Sequence, residues 1–469
     1  MTSHSALGGP FPAALPHLEA MTRFTAALRF EDLDPALIAK AKLHLLDTLG
    51  AALAGTRSAE FRAACQLATG DGARLLGSAL HASPRDAALI NGVAAHVFEL
   101  DDSGGCDHSG AVVVPALLAA MGSGAGTSGR DLICALLAGY EVGRRILDAS
   151  GGYGGHNGAG WHSTGTCGTL AAAAAVSRLR GYGPQTTRHA VTLSTSFSSG
   201  LWAFIHDGSQ AKKIHAGRAA EGGLLAADLA GAGLTGPSQV FEEVWGGFFR
   251  SFIGQPGRAQ EFSDGLGQIW KINRVSLKPY AACRGAHSAV DALGDSLAQT
   301  GHSPEQITRI DLRLSQFLMD MCGTARLDTL AGAQMSLAYV LAARCVFGAA
   351  GLAQYAAPVR RDPRLAAVMA KVRFQVDPAL AQMDEPVLTL TFADCQQITT
   401  VVPRATGAPE RPMTEAAVLA KFTSLAGMAL PEPQVAELLA CVNRLETLDS
   451  CDSLVALLTH DGPQRPVFD

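Results

Sequence analysis

Charge is scarce in this sequence. Of its 469 residues, 17% are charged and 6% are aromatic, whereas 48% are hydrophobic and 51 residues are glycine. Because charged residues normally make up about a quarter of a globular chain, this shortage predicts close-packed helices and a buried subunit interface, so we expect an oligomer. The formal net charge of −5 excludes a broad basic surface for nucleic acid or an anionic membrane.

Metal motifs, leader sequences and long apolar runs are also missing. The ten cysteines form no CxxC pair and show no spacing typical of a zinc or iron–sulfur site, which predicts reduced thiols and no bound metal. Residues 1–20 lack the charged region and unbroken apolar stretch of a signal peptide. The apolar run at 111–121 is too short to span a bilayer. We therefore expect a soluble, cytoplasmic protein without a membrane partner.

Two kinds of periodicity divide the chain. Helical spacing dominates up to residue 275, where several segments are apolar on more than one face, as in helices buried inside a bundle. After Lys278, alternation of apolar and polar residues predicts four strands of a half-exposed antiparallel sheet. These strands are expected at 307–315, 371–377, 386–394 and 397–403.

The predicted fold is mainly α with an α+β part. We assign residues 1–275 to a large all-helical domain, 276–410 to a smaller α+β lid domain, and 411–469 to C-terminal helices that return to the helical domain. A proline-rich stretch at 403–413 marks the second boundary. The cleft between two such domains is the usual place for a ligand pocket.

Titratable residues collect in two loops of the helical region. Glu99, Asp101 and Asp102 precede a glycine-rich loop that ends in Asp107 and His108, just before a helix whose start favours an anion. The alternative is an acidic helix end followed by an aspartate cap. The loop at 151–170 carries Tyr153 and His162 and is interpreted either as a polar wall near a ligand or as a flexible loop with solvated histidines.

Cations collect in two further segments. Lys212, Lys213 and Arg218 precede an alanine-rich apolar run, where cations in a first helical turn oppose the helix dipole. Such departures are often tolerated for function, although a solvated first turn is the alternative. Lys278 and Arg284 begin the lid, and Arg284 suits bidentate binding of a carboxylate. The pattern favours a small, multiply charged carboxylate as substrate.

Cys283 lies between Lys278 and Arg284. It has two interpretations, a nucleophile or a packed and inert thiol. No oxyanion-hole or triad motif accompanies it, which favours the packed thiol.

Six segments in order resemble the MmgE/PrpD family, whose members include 2-methylcitrate dehydratase, cis-aconitate decarboxylase and iminodisuccinate epimerase. They are KLHLLDTLGAALAG, HVFELDDS…HSGAVVVPALL, GYEVGRRI, GWHSTGTCGTLAAAAAVSRLRG, DGSQAKKIHAGRAAEGGLLAADLAGAGLTGP and KPYAACRGAHSAVDAL. The resemblance covers nearly the whole chain. It implies a helical domain with an inserted α+β lid, a homodimer, and no metal or organic cofactor.

The resemblance also implies site residues. The motif positions of the decarboxylase-like members imply catalytic roles for His108, His162, Lys212, Lys278 and Tyr339. They imply substrate contacts for Glu99, Asp101, Ser103, Tyr153, Cys283 and Arg284. Three positions depart from the usual residue: Glu99 replaces an aspartate, Ser103 a threonine and Cys283 a histidine.

The activities of the family share a proton transfer, or a developing negative charge, at a carbon next to a carboxylate. Cations stabilise such a charge and a histidine suits the proton transfer. We therefore predict a lyase of a small di- or tricarboxylate, first a 2-methylcitrate dehydratase-like hydro-lyase, although the loop LDDSGGCDHSGAV is shorter than in that enzyme. The alternatives are an iminodisuccinate epimerase-like enzyme, a cis-aconitate decarboxylase-like enzyme and a non-catalytic metabolite-binding protein.

Overall fold

Helices dominate the first part of the computed structural model, which describes residues 15–122, 126–324, 327–460 and 468. A short hairpin of β1 (Ala73–Arg74) and β2 (His81–Ala82) interrupts them. The helices are α1 (Pro16–Ala27), α2 (Pro35–Gly55), α3 (Ala59–Cys65), α4 (Pro84–His96), α5 (Ser109–Met121), α6 (Gly129–Ala149), α7 (Gly152–His156), α8 (Ser163–Leu179), α9 (Pro184–Ser194), α10 (Ala211–Gly231) and α11 (Phe248–Ile253).

The low charge content follows from how closely these helices pack. Helix α2 starts at Pro35, with the Asp34 carboxylate accepting a hydrogen bond from the Leu37 amide, and most of its residues are buried. Helices α4 and α10 cross where Gly92 meets Gly217, and a Cβ on Gly92 would lie 2.6 Å from the Gly217 Cα. A larger side chain there would separate the two helices, both of which lead into the site described below.

The second part of the chain builds a four-stranded sheet in the order β4-β3-β5-β6. Its strands are β3 (Ile307–Leu314), β4 (Val372–Val376), β5 (Val387–Phe392) and β6 (Gln397–Val401). The prediction of a purely antiparallel sheet is wrong, because β3 and β4 pair in parallel while β3–β5 and β5–β6 are antiparallel. The helices inserted between β3 and β4 form the crossover that a parallel pair requires.

Six helices accompany the sheet. They are α12 (His287–Thr300), α13 (Gln316–Cys322), α14 (Leu330–Gln334), α15 (Leu337–Phe347), α16 (Ala357–Arg360) and α17 (Pro363–Met369). Helix α12 packs on β5 and β6, and α15 packs on α12 and α17. Sheet and helices enclose a second hydrophobic core, which also takes in Phe98 and Leu100 from the first part of the chain. The segment that follows α4 therefore joins the two cores.

The last helices pack against the first ones. They are α18 (Glu415–Ala426), α19 (Glu432–Asn443) and α20 (Asp452–Leu457). Helix α18 crosses α2, where Phe422 covers Gly50 and the Lys421 ammonium donates to Asp47 and to the Leu100 carbonyl. The architecture is thus the predicted one, a helical body plus a smaller α+β part. The boundaries at 275/276 and 410/411, the homodimer and the cytoplasmic location stay predictions.

Within the described ranges, no helix combines the length and hydrophobicity needed to cross a membrane. All ten cysteines lie in these ranges, and all ten are free thiols.

Candidate active site

A cavity of about 540 Å³ lies between the helical body and the α+β part. Its wall includes eight of the eleven predicted site residues: Glu99, Ser103, His108, Tyr153, Lys212, Lys278, Cys283 and Arg284. Asp101, His162 and Tyr339 are not on this wall. The structure therefore brings together residues that are up to 185 positions apart in the sequence, from Glu99 to Arg284.

Three buried lysines share one buried carboxylate at the inner end of the cavity. Glu99 Oε1 accepts hydrogen bonds from Lys212 Nζ at 2.6 Å and Lys213 Nζ at 3.0 Å, and Glu99 Oε2 accepts one from Lys278 Nζ at 3.1 Å. None of the four residues is more than 4% exposed. With all three lysines protonated, the cluster carries a formal surplus of two positive charges. We call these four residues the lysine cluster.

The pKa values of the groups in the lysine cluster are shifted in different directions. Burial alone would raise the pKa of Glu99, but the three lysines outweigh it and hold this pKa well below its usual value. Burial lowers the pKa of Lys212, yet the adjacent Glu99 carboxylate more than offsets this and raises it. Burial prevails at Lys213, whose pKa is lowered. Lys212, which faces the cavity, is therefore the more firmly cationic of the two neighbours.

Backbone strain surrounds the cavity. In the described residues three non-glycine residues have positive φ, and two of them, Glu99 (φ 55°) and Asp107 (φ 88°), line it. Such conformations cost on the order of 1–3 kcal/mol and persist where the surrounding structure enforces them. Lys212 and Lys213 lie in the first turn of α10, against the helix dipole, as the sequence predicts. Glu99 offsets this unfavourable position.

His108 faces the cavity from the start of α5, with a carboxylate behind it. Its Nδ1 lies 2.9 Å from Asp101 Oδ2, and His96 Nδ1 lies 3.0 Å from the same oxygen. Burial alone would lower the pKa of His108, but Asp101 and Asp107 outweigh it and raise this pKa. Burial lowers the pKa of His96 to about 3. Of the two imidazoles that share Asp101, His108 is therefore the more readily protonated.

Asp101 thus lies against His108 and away from the cavity wall, where the predicted substrate contact would have placed it. Its side chain is fully buried, and the His96 and His108 rings lie against one of its oxygens. The physical reason is the turn after α4, which directs Asp101 into the protein and leaves Glu99 on the cavity wall.

His162 lies behind Asp107. The His162 Nε2 is 3.5 Å from Asp107 Oδ2 and 3.1 Å from Thr164 Oγ1, while its Nδ1 is 2.9 Å from His215 Nδ1. The ring is fully buried, and burial lowers its pKa to about 3. His162 is therefore a neutral ring that supports Asp107, whereas His108 is the imidazole on the wall.

The loop before His108 is fixed at both ends. The backbones of Ser103 and Ser276 exchange hydrogen bonds of 3.0 and 2.7 Å, which ties the helical body to the start of the α+β part. The Arg144 guanidinium donates to the carbonyls of Gly104 and Gly105 at 3.0 and 3.3 Å. Arg144 also lines the cavity. Sequence reasoning missed Arg144, because the helical pattern of α6 does not reveal which polar side chain faces a cavity.

Tyr153 and Arg284 stand on the outer part of the wall. The Arg284 guanidinium donates to Glu385 at 2.8 Å, and Ser288 donates to the other oxygen of that carboxylate. Burial raises the pKa of Tyr153 well above its usual value, so its phenol is a neutral hydrogen-bond donor rather than a base.

Tyr339 lies away from the cavity wall. Its hydroxyl donates to the Gln354 carbonyl and its ring packs on Tyr355 with centroids 5.2 Å apart. Helix α15 runs through the second hydrophobic core, and this placement turns Tyr339 away from the cavity. The predicted catalytic role has no geometric support.

Lys213 was also missing from the predicted site. Successive residues of a helix normally face different sides, so the neighbour of Lys212 is not expected at the same partner. In the first turn of α10, however, both ammonium groups reach Glu99, and Lys213 also donates to Gln334 at 3.2 Å. The pair of adjacent lysines was the feature of the sequence from which this contact of Lys213 could have been predicted.

Nitrogens of His96, His108 and His162 lie within 4.8 Å of one another, a spacing that a metal ion could use. The rings are already held by acidic side chains, however, with Asp101 against two of them and Asp107 against the third. These contacts explain the arrangement, and we assign no metal to it.

Comparison with known proteins gives the same family along most of the chain. Residues 19–261 match the MmgE/PrpD N-terminal domain and residues 280–447 match the MmgE/PrpD C-terminal domain. A cis-aconitate decarboxylase-like protein of Aspergillus oryzae is 29% identical over 94% of this chain and 96% of its own length.

Two further relatives are cis-aconitate decarboxylases. The one from Aspergillus terreus is 29% identical over 92% of this chain and 93% of its own length. The human one is 27% identical over 94% of this chain and 93% of its own. With both domains matched in order, the chain belongs to the MmgE/PrpD family.

Proposed function

We propose that the protein is a lyase that breaks a bond next to a carboxylate of a small di- or tricarboxylate, with decarboxylation as its reaction. The family and the relatives, which are cis-aconitate decarboxylases, support lyase chemistry. The observation that carries the proposal is the presence, on one cavity wall, of Lys212 and Lys278 together with His108, whose pKa is raised.

The lysine cluster supplies the binding and the electrostatics. Two carboxylates of a substrate would balance its surplus of two positive charges, with Lys212 and Lys278 on the cavity wall. When a carbon–carbon bond to a carboxylate breaks, CO2 leaves and the electron pair stays on the neighbouring carbon. The buried ammonium groups stabilise this charge without reorganising, which is the main electrostatic contribution in such sites.

His108 completes the reaction. The neighbouring carboxylates raise its pKa and so favour the protonated ring, and that proton passes to the carbon that CO2 has left. Asp101 and Asp107 stabilise the imidazolium before the transfer. Decarboxylation needs an acid at this point and no base, which matches the raised pKa of His108.

Dehydration of a 2-methylcitrate-like hydroxy acid is the second candidate. His108 would protonate the departing hydroxyl, and Asp107, whose Oδ1 lies 3.8 Å from His108 Nε2, would accept the substrate proton. The pKa of Asp107 is lowered, since its histidine neighbours outweigh its burial, so it is a weak base. Epimerisation also needs a base, and the neutral Tyr153 phenol does not provide one. Both reactions therefore rank below decarboxylation.

The test is proton NMR in D2O with cis-aconitate, citrate, 2-methylcitrate and iminodisuccinate, together with measurement of released CO2. Decarboxylation predicts CO2 in proportion to a new vinyl signal. A vinyl signal without CO2 would indicate dehydration, and deuterium at an α-carbon without elimination would indicate epimerisation. Binding without any reaction would favour the metabolite-binding alternative.

Lys212→Met is the informative variant. Loss of one stabilising donor at such a site lowers kcat by about 10²–10³-fold. Lys42→Met is the matched control, because Lys42 pairs with Glu446 near the surface and is not part of the cavity wall. Equal activity of the two variants would contradict the role of the lysine cluster.

A further inference from the structure

Cys283 lies on the cavity wall next to a methionine. It is 7% exposed, and its Sγ lies 3.4 Å from the Sδ of Met321, which also lines the cavity. Its backbone is fixed by a hydrogen bond from the Cys283 amide to the Gln334 carbonyl, 2.9 Å long. The thiol is thus held in one place within reach of a bound ligand.

A second thiol supports the first. Cys322, at the end of α13, is fully buried. The two sulfurs lie 3.9 and 4.0 Å from the position that a Cβ on Gly285 would occupy, so glycine at 285 leaves room for the pair. Cys283 shares the cavity wall with Lys212 and Lys278, whereas Cys322 does not line the cavity.

This environment favours the thiolate of Cys283. The neighbouring Cys322 thiol lowers the pKa of Cys283. Burial opposes this shift, and the charges of Lys212 and Lys278 lower the pKa further. Burial instead raises the pKa of six other cysteines, namely Cys65, Cys106, Cys134, Cys167, Cys345 and Cys451. Cys283 therefore differs from the packed, inert thiol that the sequence favoured.

We propose that Cys283 is a covalent modification site for anionic electrophiles, in particular α,β-unsaturated di- and tricarboxylates held by Lys212 and Lys278. The Cys283 thiolate adds to the β-carbon and forms a carbon–sulfur bond. The π electron pair moves to the α-carbon, which takes one proton from His108, so the product is a thioether and nothing is oxidised or reduced. The inference rests on the polycarboxylate binding of the proposed function, but it does not require turnover.

The charge preference of alkylation tests the proposal. The purified, reduced chain is treated separately with iodoacetate and with iodoacetamide, and the rate at Cys283 is followed by peptide mass spectrometry. The reference is the same cysteine in the urea-unfolded chain. A positively lined cleft raises association rates of an anion by at least about tenfold, so the iodoacetate-to-iodoacetamide rate ratio should rise by that factor on folding. An unchanged ratio would overturn the proposal.

Two variants and one probe sharpen the result. Cys322→Ala should slow both reagents at Cys283, whereas Lys212→Met should lower the rate ratio. Maleate should then add to Cys283 in the folded chain, and propane-1,2,3-tricarboxylate should protect against it. Maleate addition without protection would contradict attachment in the cavity. A chain that alkylates in this way but releases no CO2 refutes the proposed function alone, and one that turns over with an ordinary rate ratio refutes only the modification site.

Discussion

Removing the charge of Glu99 is the sharpest test of the lysine cluster. Glu99→Gln keeps the size of the side chain and its positive φ, but it leaves three buried ammonium groups without a counter-charge. Breaking a buried pair by removing one partner costs about 3–5 kcal/mol. Unfolding entropy of about 2.1 cal/mol/K per residue gives about 1 kcal/mol/K for this chain, so the Tm should fall by about 3–5 °C.

The pH dependence identifies the cause of this loss. The pKa of Glu99 is depressed in the folded protein, so its contribution is present above its unfolded pKa and is lost as pH falls through the folded value. In Glu99→Gln, burial without a counter-charge should lower the pKa of the clustered lysines in the folded chain. As pH rises towards about 10.4, the unfolded variant then binds more protons than the folded one. The variant should therefore gain stability relative to wild type as pH rises from neutral towards that value.

The assay is thermal unfolding at several pH values, with Glu31→Gln as the control. Glu31 pairs with Arg130 on the surface, where both side chains are more than half exposed, and such a pair contributes at most about 1 kcal/mol. If Glu99→Gln and Glu31→Gln have the same Tm at neutral pH, Glu99 does not stabilise the three buried lysines and the reasoning is refuted. A loss that does not shrink at alkaline pH would also refute it.

Three further variants test the rest of the site. In Asp101→Asn the pKa of His108 should fall, so the alkaline limb of kcat/KM should move to lower pH; an unmoved limb would contradict the role of Asp101. Tyr339→Phe should lose about 1 kcal/mol of stability with its hydrogen bond to Gln354 and keep its kcat/KM, and a tenfold loss of kcat would return Tyr339 to the mechanism. Arg144→Met should release the loop before His108 and lower kcat/KM by about 10²-fold, whereas an unchanged value in a stable variant would show that the loop needs no such support.

The sequence located the strands but not their partners. Each of the four alternating segments contains one strand, and no strand end is shifted by more than two residues. Alternation reflects one buried face, which parallel and antiparallel neighbours produce alike. The parallel pairing of β3 with β4 depends on the helices that pass between them, and this is a property of the packed fold.

The site was predictable as far as polar residues stand out against apolar neighbours. Lys212, Lys278 and His108 did so, and the resemblance assigned them to one pocket before any geometry was known. The local sequence pattern does not reveal whether a side chain lies on the cavity wall or is buried behind it. Asp101 and Glu99 are two positions apart, yet one supports a histidine from behind and the other binds three lysines on the wall.

The single carboxylate of the lysine cluster is a compromise between stability of the fold and attraction of an anion. Without Glu99, three buried cations would lie close together without a counter-charge. The free-energy cost of burying them would then destabilise the folded protein whenever no ligand is bound. With three carboxylates, the cluster would be neutral and would attract no anion. One carboxylate stabilises the fold while leaving a surplus that a substrate with two carboxylates neutralises. Under the proposed function, this surplus accounts for the lysines at the start of α10, which the helix dipole disfavours.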